Sequence, residues 1–547
     1  MKRFIYFPKN LVEYWSVATR PLDVNGLGLD IEKTAYEIRK FKRYLNFIDE
    51  LPGLFTEWEV LVRQYQVRGK NVHDARIVAA MLQHGITRWL TFNVKSIFGR
   101  RKMSKIAVIS NLFLSLLLQS QPANAQQMGA PGEARGKGTV VLRAAQIIDG
   151  TGGEPIRNGV VIVTGDKIVA VGTSASVTVP AGARVIDLGD ATLMPGFIDA
   201  HTHIIGRVLG DPEGQNARVH DYDSFGAILA VGNAEKTLLA GFTTIRNVGA
   251  GKFDDLALRK AINDGWIPGP RMLTAGHSLG ITGGHCDENG YKPGMADGDY
   301  KTGIADGPEA VRAAVRYQVK YGADVIKTCA TGGVLSEGDA VGATQYTYEE
   351  LKAMVDEAHK LERKVAAHAH GTEGIKIATR AGVASIEHGS FLDEEGAKLM
   401  AEKGTFLVPT LMAGETVERL AKTGVLKGFR GEKALAAAAA MRIAIKLAIA
   451  NKVIIALGTD AGVIPHGTNG HEFTLMVNWG GMRPMDAIVA GTLNGAKLLG
   501  LEKSLGSLSI GKIADIVAVP GDPLKDINKM EGTVFVMKNG RIYKETK

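Results

Sequence analysis

Six side chains that can bind a metal ion stand at the ends of short apolar runs in this 547-residue sequence. His201 and His203 form a His-x-His pair, and alternate residues of a strand point to the same side, so that two imidazoles can meet one ion. Each of the six residues has an ordinary structural explanation when it is taken alone. Because all occupy the same position in successive runs, together they predict a metal centre. The six residues are His201, His203, Lys327, His368, His388 and Asp460.

The apolar runs alternate with amphipathic segments, which indicates a regular succession of strands and helices. Eight such repeats favour parallel strands covered by helices, and eight is the number of strands that closes a (β/α)8 TIM-type barrel. In that barrel the carboxyl ends of the strands form the active-site face, so the metal-binding groups would meet at one mouth. The runs span residues 192–203, 242–249, 270–276, 324–330, 364–369, 385–389, 405–410 and 454–460.

The segments on either side of the eight repeats have a different pattern. Residues 139–190 and 506–547 contain short stretches of alternating apolar and polar residues separated by glycine turns, which is typical of small antiparallel sheets. We therefore expect an α/β protein in which residues 138–195 and 501–547 pair into a small β-sandwich. This sandwich would lie beside the barrel, which residues 196–500 would form.

The first 125 residues differ in composition from the rest of the chain. Residues 1–102 contain 18 basic and 10 acidic side chains, which accounts for the whole formal charge of +8. Residues 103–125 follow the pattern of a secretory signal peptide, with Lys105, an apolar stretch and a small-x-small ending at Ala125. The apolar stretch is too short to span a membrane, for which about 20 residues are needed. We expect translation to start at Met103 and the product to be periplasmic or secreted, without a stable membrane anchor.

Charge and cysteine content exclude several classes of function. Without the first 125 residues, 46 basic and 47 acidic side chains remain, a balance that gives no support to nucleic-acid binding. Two cysteines, Cys286 and Cys329, are too few for a disulfide scaffold or a cysteine-rich zinc site. Cys329 lies two residues after Lys327, but the sequence offers it no evident partner for nucleophilic catalysis.

Residues 1–98 resemble the PIN-domain ribonucleases of toxin–antitoxin systems. The similarity is carried by NLVEYWSVATRP and VHDARIVAAMLQHGITRWLTFNV, in which Glu13 and Asp74 fall at two acidic positions of that family. Such enzymes bind a divalent ion through several carboxylates. Because Ser96 stands where a further Asp is usual in the family, we expect residues 1–102 to be a truncated, non-functional α/β fragment.

Motifs in the rest of the chain resemble the amidohydrolase superfamily in its two-metal form with a carboxylated lysine. They are GFIDAHTH, VIKTCATGGVLS, AAHAHG, SIEHG and GTDAG, and the similarity extends over residues 138–547. Within the superfamily, ITGGHCD and MRPMDAIVAGTLNGAKLLG are most similar to a prolidase-like branch related to imidazolonepropionase. The resemblance implies a secreted enzyme that cleaves Xaa-Pro or Xaa-Arg/Lys dipeptides, N-acyl amino acids or ochratoxin-type amides.

The resemblance also implies which residues would hold the two divalent ions. His201, His203 and Asp460 would hold one ion, and His368 and His388 would hold the other. Zn²⁺ suits this mixed shell of nitrogen and oxygen ligands and brings no redox chemistry. We therefore expect two zinc ions.

Lys327 would bridge the two ions in the same resemblance. A buried lysine with a lowered pKa can react with CO₂ to give N6-carboxylysine, a carbamate with two oxygen ligands. A hydroxide shared by the ions would attack the amide carbonyl. Asp460 would take the proton of that hydroxide and pass it to the leaving amine, acting first as base and then as acid.

Further residues are expected around the substrate. His285, in the glycine-rich TGGHCD loop, could donate to the substrate carbonyl oxygen and stabilise the oxyanion. His370, in the HAHG motif, could also face the mouth and contact substrate. Arg246 and Tyr346 could bind a substrate carboxylate, unless the first makes a structural ion pair and the second is a core hydroxyl. His466, in GVIPHG, could line the pocket or simply belong to its loop.

Two other functions are compatible with the same barrel. The first is a one-metal deaminase or cyclic amide hydrolase, but such deaminases lack the bridging lysine and carry His-x-x-Glu where this sequence has His368-Ala-His-Gly. The second is a non-catalytic binding protein, which the complete set of ligand positions argues against. Members of the superfamily often assemble as dimers or larger rings, so a homo-oligomer is one expectation.

Overall fold

The computed structural model of the chain describes residues 5–6, 30–35, 46–47, 53–64, 79, 132–214, 217–336 and 339–546. The chain divides into two compact units, Met1–Met128 and Gly129–Lys547. The described elements of the first unit are the parallel strands β1 (Ile5–Tyr6) and β2 (Asn46–Phe47) and the helix α1 (Leu54–Gln64). Glu13, Asp74 and the expected signal peptide at residues 103–125 lie outside the described residues.

The strands of the second unit fall into two groups by their pairing. Strands near the two ends of the unit join one mixed sheet, whereas the middle of the unit contains parallel strands separated by helices. The strands are β3 (Thr139–Ile147), β4 (Ile156–Thr164), β5 (Lys167–Thr173), β6 (Arg184–Asp187), β7 (Thr192–Pro195), β8 (Phe197–Thr202), β9 (Phe242–Asn247), β10 (Arg271–Thr274), β11 (Val325–Cys329), β12 (Lys364–Ala369), β13 (Ser385–His388), β14 (Phe406–Val408), β15 (Ile516–Val519), β16 (Phe535–Lys538) and β17 (Arg541–Glu545).

The helices of the second unit follow the parallel strands. Their ends carry standard signals: α5 has a proline in its first turn and is closed by Gly322 at φ 106°, and α6 begins with a capping box of Thr347 and Glu350. No described helix is both long enough and apolar enough to cross a membrane. The helices are α2 (Ala217–His220), α3 (Phe225–Leu239), α4 (Asp254–Asn263), α5 (Pro308–Tyr321), α6 (Tyr348–Lys360), α7 (Thr372–Ala381), α8 (Glu394–Lys403), α9 (Leu411–Lys422), α10 (Gly428–Ala450), α11 (His471–Asn478), α12 (Pro484–Val489) and α13 (Gly495–Leu499).

The mixed sheet brings the two flanks of the second unit together. Its strands run in the order β17-β16-β15-β7-β3-β4-β5, and β6 pairs with β3. The flanks meet where β15 pairs with β7 in antiparallel register, with Val519 opposite Thr192. Apolar side chains from both flanks, among them Leu142 and Phe535, pack in one buried core. This sheet is therefore built from sequence segments more than 300 residues apart, while the pairing of the flanks into a β-sandwich stays a prediction.

The parallel strands form one sheet in the order β10-β9-β8 and another in the order β11-β12-β13-β14. Isolated parallel bridges link these sheets: Leu279 with Thr328 joins the segment after β10 to β11, and Leu407 with Ile455 joins β14 to the eighth apolar run. That run returns to β8 through a parallel bridge between Thr202 and Ala461. The described chain therefore has an α/β fold with parallel strands, while closure into a regular barrel stays a prediction.

Candidate functional site

The candidate site lies at the carboxyl ends of the parallel strands. A cavity of about 700 Å³ opens there, and all six predicted metal ligands line it. The side chain of His203 is 38% exposed, and the other five residues are buried. The structure thus brings together residues that are up to 259 positions apart in the sequence. They are His201, His203, Lys327, His368, His388 and Asp460.

His201 and His203 both direct a ring nitrogen at Asp460. The Nδ1 atom of His201 donates to Glu387 Oε2 at 2.8 Å, and the Nδ1 atom of His203 donates to the carbonyl oxygen of Gly249 at 3.3 Å. Their Nε2 atoms lie 3.5 and 3.6 Å from Asp460 Oδ1. The Nε2 atom of His201 is buried and has no hydrogen-bond partner among the described residues. Both rings are therefore held so that a nitrogen lone pair faces the same carboxylate.

A second group of histidines surrounds the opposite side of the cavity. His368, His370 and His388 each offer a ring nitrogen within 4.8 Å of the others, and His388 also belongs to a similar group with His201 and Asp460. His388 therefore connects the two groups. This overlap is the arrangement that two neighbouring ions would need.

Hydrogen bonds orient the rings of the second group as well. The Nδ1 atom of His388 is 2.7 Å from Thr410 Oγ1, which itself donates to the carbonyl oxygen of Pro409 and so accepts from the ring. The Nε2 atom of His368 donates to the carbonyl oxygen of Gly332 at 3.4 Å. One ring nitrogen of each histidine is thus left as an acceptor, which is the state that binds a metal ion.

Lys327 and Asp460 have opposite electrostatic settings in the same cavity. Burial lowers the pKa of Lys327 to about 8, although the carboxylates of Glu387 and Asp460 act to raise it. Burial alone would raise the pKa of Asp460, but its interactions with the neighbouring histidines lower it below its usual range. Lys327 is therefore poised to lose a proton and Asp460 to remain ionised.

Burial also keeps the histidines of the cavity neutral. It lowers the pKa of His285 to about 4 and that of His370 to about 3. The pKa values of His368 and His388 are lowered well below the usual value by the same cause. Neutral imidazoles are ready to act as metal ligands near neutral pH without first releasing a proton.

Three residues of the site have a left-handed backbone that residues with side chains rarely adopt. The φ angles are 69° at His388, 49° at Thr410 and 61° at Asp460. Such conformations cost roughly 1–3 kcal/mol each and occur most often at functional sites. The fold therefore accepts backbone strain at two candidate ligands and at the hydroxyl that orients one of them.

A buried ion pair between Glu387 and Arg246 holds one of the predicted ligands, His201, in place. Glu387 accepts from His201 and, through Oε1, from Arg246 Nη2 at 2.8 Å. Arg246 also donates from Nε to the carbonyl oxygen of Ala200 at 2.6 Å. Burial alone would raise the pKa of Glu387, but Arg246 and the hydrogen bond from His201 lower it to about 2. Sequence reasoning missed Glu387, although an acid inside an otherwise apolar run requires a partner.

The four residues predicted to bind substrate have different positions. His370 lines the cavity, with Nδ1 2.6 Å from Ser390 Oγ. Arg246 is occupied by its ion pair, and the hydroxyl of Tyr346, a fully buried side chain, donates to the carbonyl oxygen of Ala305 at 3.1 Å. His466 is buried. None of these last three is among the described residues that line the cavity.

His285 lines the cavity beside the second group of histidines. Its ring stacks on that of His368, with centroids 4.2 Å apart and planes at 28°. Its Nδ1 atom is buried, with no hydrogen-bond partner in the described part of the chain. Gly333 permits this position, because a Cβ atom there would lie 2.1 Å from the His285 ring. The structure thus brings an imidazole with an unused nitrogen to the candidate site.

A disulfide joins Cys286 to Cys329, which lie 43 residues apart. Both cysteines line the cavity, Cys286 directly after His285 and Cys329 two residues after Lys327. The sequence did not predict this bond, because two cysteines at this separation carry no local signal of pairing.

The cavity is lined by both apolar and charged side chains. Helices α9 and α10 and the loop after β11 supply the apolar wall. Acidic side chains and Lys252 also line the cavity. The apolar residues are Val334, Leu335, Val417, Ala437, Met441 and Val463, and the acids are Asp287, Glu288 and Asp297.

Comparison with known proteins agrees with this geometry. Residues 192–543 match the amidohydrolase family. The chain belongs to that family. It is 36% identical over 463 residues to an ochratoxinase from Aspergillus niger, a match that covers 79% of this chain and 91% of the relative. This amidohydrolase is therefore a hydrolase of amide bonds.

Solved structures give the same relationship. A Xaa-Pro dipeptidase with methionine bound in its active site is 38% identical, with a TM-score of 0.70 over 74% of this amidohydrolase and 100% of the dipeptidase. The crystal structure of A. niger ochratoxinase is 32% identical, with a TM-score of 0.66 over 75% of this chain and 96% of that one. The predicted family and its prolidase-like neighbours are confirmed. The PIN-like resemblance of residues 1–98 finds no support in these comparisons.

Proposed function

We propose that this amidohydrolase is a secreted, two-metal enzyme that cleaves peptide-like amides. The observation that carries the proposal is the orientation of the four predicted histidine ligands. In His201, His203, His368 and His388, one ring nitrogen is tied to a hydrogen-bond acceptor and the other is left for an ion. Rings that served only to stabilise the fold would not need four free lone pairs around one cavity.

The donor set fits two divalent ions. His201, His203 and Asp460 would hold one ion, and His368 and His388 the other. Zn²⁺ suits such nitrogen and oxygen ligands, and bound divalent ions supply the Lewis acidity that activates water and polarises an amide carbonyl. The buried Nε2 atom of His201, which lacks a hydrogen-bond partner among the described groups, supports this assignment.

Lys327 would join the two ligand groups as a carbamate. As an ammonium it would repel a cation, but its pKa, lowered to about 8 by burial, makes the neutral amine accessible. The neutral amine nitrogen would form a bond to the carbon of CO₂ and release one proton, giving N6-carboxylysine, whose single negative charge is shared by two oxygens. Together with the earlier loss of the ammonium proton, this replaces a positive charge by a negative one where histidines and Asp460 converge.

Two residues would handle the charge that develops during hydrolysis. Asp460, ionised and facing both groups, would accept a proton from the attacking water and deliver it to the leaving nitrogen. His285, with a buried nitrogen free of hydrogen bonds to described groups, would donate to the carbonyl oxygen as it becomes negative. His370 would contact substrate beside it.

The architecture proposed for these roles is a closed (β/α)8 barrel formed by residues 196–500. The isolated bridges Leu279–Thr328, Leu407–Ile455 and Thr202–Ala461 support closure, because they connect the two parallel sheets and the eighth run in a ring. Residues 138–195 and 501–547 would form the adjoining β-sandwich. The boundaries of these domains could be measured by limited proteolysis followed by mass spectrometry.

Secretion is part of the proposal. The Cys286–Cys329 disulfide supports it, because structural disulfides persist in oxidising compartments such as the periplasm. The pattern at residues 103–125 supplies the export signal. Mass spectrometry of the exported protein should find an amino terminus at Gln126, and an exported chain that retains residues 1–125 would overturn this part.

The substrate would be an amide with an apolar portion and a polar or charged end. The apolar wall and the charged loops of the cavity support this class, which includes Xaa-Pro and Xaa-Arg/Lys dipeptides, N-acyl amino acids and ochratoxin-type amides. The relatives named ochratoxinase and Xaa-Pro dipeptidase point to the same class.

Light scattering of the purified chain would test the expected homo-oligomer.

The decisive experiment is a substrate panel on protein with a measured metal content. We expect the release of a free amino acid, two Zn²⁺ per chain and loss of activity after chelation, with recovery when Zn²⁺ is restored. Release of ammonia from amino-heterocycles by protein with one ion would instead support the deaminase alternative. Inactivity towards every amide of the panel at full metal occupancy would refute the proposal.

A further inference from the structure

The two cysteines of the chain join parts of the site that differ in how firmly the backbone holds them. Cys329 ends β11, is buried, and lies opposite His368 in the parallel ladder with β12. Five residue pairs of that ladder fix the strand. Cys286, by contrast, lies outside the regular elements, in the long connection between β10 and α5. The disulfide therefore ties a loop to a rigid strand.

The connection from β10 to α5 is anchored near its start and again near its end. Leu279 donates to the carbonyl oxygen of Lys327 at 2.8 Å and accepts from the backbone of Cys329 at 2.9 Å. Near its end, the backbone of Ala305 donates to the carbonyl oxygen of Gly280 at 3.0 Å. Between these anchors, much of the loop is exposed, and its hydrogen bonds run largely within the loop itself.

His285 lies in this intervening part. Its backbone nitrogen donates to Gln345 Oε1 at 3.1 Å, and its ring contacts His368 and Gly333. The neighbouring residue carries the covalent bond to β11. A displacement of the loop by 1 Å would separate the ring from the place where a substrate carbonyl would lie, because a hydrogen bond weakens steeply beyond its usual length.

We propose that the Cys286–Cys329 disulfide is a positioning device that holds His285 over the candidate site, so that turnover depends on the redox state of this bond. The proposal rests on the proposed function, since it assigns His285 to the substrate carbonyl. Reduction by a water-soluble phosphine breaks the S–S bond and forms two thiols, while water supplies two protons and the oxygen of the phosphine oxide. The strand and its ligands stay in place, and the loop is released.

The test uses the full chain before and after reduction, with both thiols quantified by alkylation. A phosphine is chosen because a dithiol would compete for metal ions. We expect kcat for an amide substrate to fall roughly tenfold or more, as when an oxyanion donor is displaced, with metal content unchanged and KM changed little. The Cys286→Ser/Cys329→Ser variant should match the reduced protein and should not respond to the phosphine.

The role of His285 is separated from a general structural role by combining the changes. In His285→Ala, reduction should cause no further loss of kcat, because the group that the disulfide positions is absent. An equal fold-loss in His285→Ala and in the parent would overturn the proposal, as would loss of metal on reduction or full activity with both thiols free.

Hydrogen exchange keeps the inference testable without turnover. Peptides from residues 282–299 should exchange at least tenfold faster after reduction, whereas peptides from 325–329 and 364–369 should be unchanged. If no amide is hydrolysed, the proposed function fails while the exchange result still decides whether the disulfide restrains the loop. Equal exchange of residues 282–299 in the oxidised and reduced states would overturn the proposal.

Discussion

The two walls of the cavity hold their chemical groups in different ways. On the strand wall, the side chains of β8, β11, β12 and β13 project from backbone ladders, and a buried acceptor orients each histidine. On the loop wall, His285 stands on a connection held by side-chain hydrogen bonds, a disulfide and close packing. The hydrogen-bonded sheet therefore fixes the positions of the groups on the strand wall, whereas the groups on the loop wall are held in place by side-chain contacts and a covalent bond.

The loop wall has a second tether in Lys433. Its ammonium group is buried, with 4% of the side chain exposed, and donates to the carbonyl oxygens of Gly333, Ser336 and Asp339. These contacts fix the loop after β11 against helix α10, and Gly333 in turn contacts the ring of His285. Two loops that carry no regular structure are thus locked to each other and to the body of the unit.

The largest expected effect comes from the strand wall. Lys327→Ala removes the group that would join the two ligand sets, so the second ion should bind weakly. We expect kcat to fall about 10³-fold or more, because divalent ions contribute several kcal/mol to the transition state. Metal analysis and steady-state kinetics on the same preparation measure both. Lys398→Ala, at an exposed position on helix α8, is the control; full activity of Lys327→Ala would contradict the mechanism.

A smaller effect on metal binding is expected from Glu387, which contacts a predicted ligand but is not one itself. Glu387→Gln keeps the shape of the side chain but removes the charge that orients His201 and pairs with Arg246. Loss of such a supporting carboxylate commonly costs 10- to 100-fold, and we expect metal affinity to fall by roughly the upper figure. Competition with a chelator gives the affinity. An unchanged affinity would show that the strand alone suffices to orient His201.

Activity should also fall when an added side-chain atom displaces a group of the loop wall, without the loss of any metal ligand. Gly333→Ala places a Cβ atom 2.1 Å from the ring of His285, so the ring or the loop must move. We expect kcat/KM to fall roughly tenfold with metal content unchanged, because the displaced group acts on the substrate and not on the ions.

Gly342→Ala is the matched control for that substitution. It lies on the same loop, and a Cβ atom there would approach its nearest neighbour to 3.6 Å, an ordinary contact. Its activity should equal that of the parent. A loss of metal in Gly333→Ala would mean that the two walls are not independent, and the comparison between them would fail.

The same division explains what the sequence could predict. The six residues could be predicted to share one site because strand alternation and the end of an apolar run are local signals, and the parallel register then brings them to one cavity. For Arg246 the sequence left a substrate contact and a structural ion pair open, and the structure shows the ion pair, with Glu387 on another strand. Tyr346 reaches a carbonyl in another loop, a contact that no local pattern specifies.

The tethers of the loop wall were beyond prediction for a related reason. The bond between Cys286 and Cys329 and the contacts of Lys433 join segments that meet only after the chain has folded. Loop conformation follows from such contacts and from single glycines such as Gly333, not from periodicity. The chemistry of strand ends can therefore be predicted from one sequence more readily than the loops that complete it.

The smallest expected effect is a loss of folding stability as the pH falls. Burial lowers the folded-state pKa of His285 to about 4 and that of His370 to about 3 from an unfolded value of 6.5, so the unfolded chain binds protons first as the pH falls. Their contribution to stability is present above pH 6.5 and is lost as the pH falls towards 4. Asp199 and Glu472 act in the opposite sense, because burial raises their pKa values to about 6 and about 8. His368 and His388 share the histidine behaviour, so the histidines prevail.

The metal-free protein should therefore lose several degrees of Tm between pH 6.5 and pH 4.5, as a destabilisation of about 1–2 kcal/mol would produce. Differential scanning fluorimetry at constant ionic strength measures this loss.

Added Zn²⁺ should raise Tm more at pH 6.5 than at pH 4.5, because protons and ions compete for the same ring nitrogens. His285→Gln should reduce the fall of Tm between pH 6.5 and pH 4.5 in the metal-free protein. It should leave the stabilisation by Zn²⁺ intact, since this ring belongs to the loop wall. His359→Gln, at an exposed position on α6, is the control; if His285→Gln abolished the response to Zn²⁺, His285 would belong with the ligands of the strand wall.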